Sequence, residues 1–165
     1  MNPLRLDNIN AKAPYKVYQM TESHWMFDTE YGVSYDIGFE PEETIWQDGA
    51  YMFNIINANH KKSPLDQKLK ETIFAIIDEF FRANPAIMLY ICATGDEKQS
   101  ARNRLFERWF NEAESKGTYY FQNVTICAEG IENYAAIIVQ RDNEQLDEII
   151  QAFNEFVELM TDKPA

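Results

Sequence analysis

Ala86 to Phe110, AIMLYICATGDEKQSARNRLFERWF, is the stretch whose reading decides the fold. From Ala86 to Ala93 it is apolar without alternation, the pattern of a strand covered on both faces. Thr94-Gly95-Asp96 makes a polar turn. Asp96 and Gln99 have the spacing of a capping box, which starts a helix from Glu97 to Lys116. On a helical wheel Leu105, Phe106, Trp109, Phe110 and Ala113 define its apolar face. Arg102 falls in the middle of that face, Arg104 and Arg108 point to solvent, and Lys98 lies one turn before Arg102.

Upstream, Pro14 to Met20 and His24 to Asp28 read as two short strands. Val33, Tyr35, Ile37 and Phe39 alternate with Ser34, Asp36, Gly38 and Glu40, the period of a half-buried strand. Ala50 to Asn57 is a fourth strand, reached through an acidic loop (Pro41 to Gly49) that contains Trp46. Short links predict an antiparallel meander. Ser63 with Pro64 reads as the start of a helix whose stripe runs from Leu65 to Phe80, and Asn84-Pro85 stops it. Downstream, Tyr119 to Ala128 and Asn133 to Gln140 flank Glu129-Gly130, a hairpin signal. Asn143 caps a last helix striped by Leu146, Ile149, Ile150, Phe153, Phe156, Val157 and Met160.

The expected fold is α+β: a largely antiparallel sheet of about six to seven strands with three helices, in the order ββββ-α-β-α-ββ-α. With 165 residues, no repeat and no linker, residues 1–165 read as a single globular domain, with 1–13 as an N-terminal arm.

Composition narrows the function. The formal net charge of −12 argues against gripping a nucleic-acid backbone. No apolar run approaches a membrane span, and MNPLRLDNIN lacks the apolar core of a signal peptide. Cys92 and Cys127 sit in apolar strand-like runs and read as buried free thiols of a reducing cytoplasm. The only histidines, His24 and His60, stand in no cysteine or metal-ligand motif, so no metal and no cofactor are expected.

Arg102 is the residue the pattern does not absorb. A guanidinium stays charged, so among apolar neighbours it needs an acid, a ligand anion or the solvent edge. One reading is an internal ion pair with Asp96 or Asp36. The other is an anion site in which the start of the helix, Thr94, Asp96, Lys98 and Arg102 take a phosphate or carboxylate. With one glycine in the turn, this is neither a P-loop nor a dinucleotide fingerprint. Trp46, Arg104 and Arg108 are the candidates for contact with a protein partner or a second copy.

Cys92, Asp96, Gln99, Arg102, Arg104, Leu105, Phe106, Trp109 and Phe110 together resemble a family of short uncharacterised bacterial proteins, chiefly from Bacteroidetes. The family has an acidic residue directly after the cysteine, where this chain has Ala93. The resemblance implies a bacterial, cytoplasmic, single-domain protein and carries no activity. Two functions follow. The first is a non-enzymatic binding or protein-interaction domain. The second is a small-ligand protein or enzyme with its site around Thr94, Asp96 and Arg102.

Overall fold

A computed structural model describes residues 1–46, 49–93 and 97–161. The elements are α1 (Leu6–Lys12), β1 (Tyr18–Gln19), β2 (His24–Asp28), β3 (Ser34–Pro41), β4 (Ala50–Asn57), α2 (Gln67–Ala83), β5 (Ile87–Ala93), α3 (Glu97–Ser115), β6 (Tyr119–Ala128), β7 (Ile131–Gln140) and α4 (Leu146–Met160). The seven strands follow the order β1-β2-β3-β4-β5-β7-β6. The fold is α+β with a mostly antiparallel sheet; the one parallel pair among the described strand pairs joins β4 to β5.

The expectation of three helices is corrected to four. The stretch read as an arm, residues 1–13, contains α1, and its anchor is far away in sequence. Glu79 of α2, only 4% exposed, accepts the Arg5 N–H at 2.5 Å and the Asn8 amide at 3.1 Å. Arg5 and Asn8 stand at the start of α1, which has no cap from its own side chains. Arg82 donates to both oxygens of the same carboxylate. These bonds, the Arg82 pair foremost, hold the Glu79 carboxyl down at about 2. Asn2 is tied to Asn84 and to the Ala83 carbonyl, and the Tyr15 N–H donates to Thr72. The first fifteen residues therefore run along α2 from its end to its beginning.

The start of α2 is also later than Ser63. The cap is Asp66, whose side chain accepts from the Lys68 N–H at 2.9 Å and from the Tyr15 hydroxyl at 2.5 Å. Burial and that bond to Asp66 push the Tyr15 hydroxyl up to about 12. Leu65, counted into the apolar stripe, is 82% exposed.

By its internal contacts the chain divides into two compact units, residues 1–40 with 53–85 and residues 41–52 with 86–165. In the first, Trp25, Phe27, Tyr35, Ile37, Phe39 and Phe53 are buried on one face of the strands. Phe80 of α2 stacks on Phe39 with ring centres 4.3 Å apart. The other face carries His24, Met26, Asp36 and Glu40, all at least partly exposed. In the second unit both faces are covered. Phe106 and Phe110 of α3 pack on Tyr90 and Phe121. On the other face Ile149 and Phe153 of α4 cluster with Ile87, Leu89, Ala135, Ile137 and Val139. That double cover is why β5 and the Tyr134–Val139 part of β7 read as apolar runs.

The β6–β7 turn matches its sequence signal. Glu129 and Gly130 both take positive φ, 53° and 76°, as a two-residue turn with the strand's own twist demands. Ala128 pairs with Ile131 directly across it.

Candidate functional site

On α3 the buried positions are Asn103, Phe106, Trp109 and Phe110. Arg102 is half-buried, as is Leu105, although around the helix it falls between buried Phe106 and Trp109. Among the described residues no ion pair engages it. Asp36, one of the acids considered as its partner, instead holds His24. Thr94 and Asp96 lie outside the described residues, and the Lys98 side chain does as well.

The polar residue that α3 does bury is Asn103, 4% exposed, whose Oδ1 accepts from the buried Tyr90 hydroxyl at 3.1 Å. No sequence signal marks it, because an asparagine on an amphipathic helix is ordinary at any azimuth.

The outer face of α3 is an open surface made by Arg104, Glu107, Arg108, Asn111, Glu112 and Ser115. All six belong to one helix, so this face is convex and encloses nothing. Arg104 and Arg108 are exposed and one turn apart. Trp46 is different: it is half-buried and packs with Ile45 against the cluster beneath α4, so it is not a free-standing anchor.

A second arrangement was not anticipated from the sequence. On the open face of the first unit, His24 Nδ1 lies 3.1 Å from Asp36 Oδ1 and His24 Nε2 lies 2.8 Å from Glu40 Oε1. Register builds it, since His24 pairs with Gly38 across β2 and β3 and the two acids flank Gly38 at alternate positions. The imidazole lies over Gly38, where a Cβ would sit 2.7 Å from its Cε1. A side chain at position 38 would therefore push the ring aside. The hydrogen bond with Asp36 raises the His24 pKa above 6.5; partial burial opposes it, and Glu40 adds to it. Each ring nitrogen faces its own carboxylate, so the three groups do not converge on a common point. Among the described residues no cluster of three or more His, Cys, Asp or Glu is arranged to hold a metal ion.

A family of unknown function, DUF6169, matches residues 65–155, more than half of the chain. The chain belongs to this family. The DUF6169 segment takes in α2, β5, α3, β6, β7 and most of α4, so Arg102, Arg104 and Arg108 fall inside it. The His24, Asp36 and Glu40 cluster and Trp46 fall outside it. Comparison with curated proteins gave no match, so no activity passes to this DUF6169 chain from a relative. Among its described residues no helix is long and apolar enough to cross a membrane.

Proposed function

We propose that this DUF6169 protein is a bacterial, cytoplasmic accessory domain that docks an acidic protein partner through the outer face of α3. The observation that carries this reading is that Arg104 and Arg108 are exposed one turn apart on the outer face of α3, inside the family segment. An open helix face covers one side of whatever it holds. That suits the broad surface of a protein, whereas small-ligand sites enclose most of the ligand. Two guanidinium groups one turn apart present planar forks to carboxylates, and Glu107 and Glu112 on the same face make the contact one of alternating charge. The Cys127 thiol is exposed, contrary to the buried position expected for it.

The test is fluorescence anisotropy of a labelled oligoglutamate peptide at low and high salt. Saturable, salt-sensitive binding that disappears in the double variant Arg104→Glu, Arg108→Glu is expected. Absence of saturable binding to the unaltered protein overturns the reading.

One observation favours a second reading, a small phosphate- or carboxylate-bearing ligand held around Thr94, Asp96, Lys98 and Arg102. Arg102 is a half-buried cation with no ion pair among the described residues. A ligand selective for the native state raises the melting temperature. A thermal-shift screen with phosphorylated metabolites should then show a rise that Arg102→Ala abolishes, and a flat screen ends this reading.

A further inference from the structure

β6 ends the strand order, so among the described residues one side of it has no strand beside it. Its sequence, YYFQNVTICA, contains no charged residue, no proline and no glycine, on a chain in which a quarter of the residues are charged. Natural sheets usually blunt such an edge with charges, proline or a bulge.

Which backbone groups face outward follows from the ladder. The Arg141 N–H donates to the Thr118 carbonyl, so even-numbered residues of β6 point toward β7 and odd-numbered ones point away. Two of the outward positions are occupied. The Tyr119 carbonyl accepts from Arg141 Nε at 3.2 Å, and the Phe121 N–H donates to Glu114 Oε2 at 2.7 Å. Glu114 and Arg141 are themselves 3.9 Å apart, so an ion pair plugs this end of the edge. Asn123, Thr125 and Cys127 come next. Among the described residues nothing bonds to their outward N–H and carbonyl groups, and Thr125 and Cys127 are exposed.

We propose that the Asn123–Cys127 edge pairs antiparallel with the same segment of a second copy of the chain, about a twofold axis at Thr125. Asn123 then faces Cys127 of the second copy, Thr125 faces Thr125, and about six backbone hydrogen bonds close the seam. The symmetry is what favours a second copy over a foreign strand. Thr125 lies midway between the plug at Phe121 and the turn at Glu129. In this register each plug meets the turn of the other copy, where the chain has already left the strand, so the open segments match end to end. Charge favours the same contact. Two copies of a protein with a net charge of −12 repel each other, and the Asn123–Cys127 segment adds no charged side chain of its own to the seam; Glu114 and Arg141 of each plug meet Glu129 of the other copy at its ends. This seam is separate from the α3 face.

The test is sedimentation velocity on the full chain from low micromolar to submillimolar concentration. A monomer–dimer equilibrium is expected, and Thr125→Lys should abolish it by setting two ammonium groups at the axis. Thr125→Pro should do the same, because an edge strand tolerates proline whose missing N–H faces outward. Circular dichroism should show both variants folded. If the proline variant does not fold, the lysine variant decides. Asn123→Cys adds a check of register. Facing Cα atoms in a hydrogen-bonded pair lie about 5.5 Å apart, within disulfide range. With diamide as oxidant this variant should therefore give a covalent dimer through Cys127 of the other copy. A monomer at every concentration overturns the proposal. So does a dimer that survives Thr125→Lys, or one that Asn123→Cys does not cross-link.

Discussion

The strands of the first unit and those of the second solve the same burial problem differently. In the first, β2 and β3 bury Trp25, Phe27, Tyr35, Ile37 and Phe39 on one face and leave His24, Asp36 and Glu40 on the other. In the second, Ile87–Tyr90 of β5 and Tyr134–Val139 of β7 are buried on both faces, between α3 and α4. A strand with one wet face has room for a charged cluster, and a strand covered on both faces has none. In the second unit the surfaces left open for contact are the far side of α3 and the free edge of β6.

The comparison can be broken most directly at Phe153, fully buried on the α4 side of the second unit. Phe153→Ala should cost about 4 kcal/mol, read from denaturant unfolding. A loss below about 1 kcal/mol would mean that α4 does not close a packed layer.

Next comes Glu79, on the covered side of the first unit. Glu79→Ala removes the acceptor of Arg5 and Asn8 and should cost about 3 kcal/mol. Its carboxyl sits at about 2 when folded, against 4.5 ordinarily. Its stabilisation is therefore complete above pH 4.5 and is lost as the pH falls from 4.5 toward 2. Glu79→Gln should remove that part of the acid sensitivity in a thermal melt; an unchanged acid limb would show that α1 is held by other contacts.

The smallest effect belongs to the wet face. The His24 pKa is raised, so its contribution is complete below 6.5 and fades as the pH rises through the folded value. Partial exposure keeps this under about 1 kcal/mol. Melting temperatures between about pH 6 and about pH 9 should fall slightly, and His24→Gln should flatten the profile. Gly38→Ala should flatten it too, because the new Cβ displaces the imidazole while the strand itself tolerates alanine. An alanine variant that keeps the slope would place the ring elsewhere.

Much of this could be read residue by residue. Alternation in Val33 to Glu40 marked the half-wet strand, and the unbroken run of Ala86 to Ala93 marked an interior one. Glu129-Gly130 marked its turn, and the stripe of α4 marked its buried side. Arg104 and Arg108 were placed in solvent by the wheel, and they are exposed. Arg102 is half-buried, whereas Asn103, Phe106, Trp109 and Phe110 are buried, a difference in depth that azimuth alone does not give.

What the sequence determined by itself was the periodic part: strands, helices and their apolar sides, since each is set by neighbours within a few residues. Tertiary structure alone decided what depends on partners far along the chain. α1 is capped by Glu79, 74 residues away, so no local cap announces it. β4 and β5 run parallel because α2 carries the chain back between them, a matter of path and not of pattern. His24 meets Asp36 and Glu40 because register across two strands sets them side by side. Periodicity is written in each segment, whereas register and capping exist only once two segments meet.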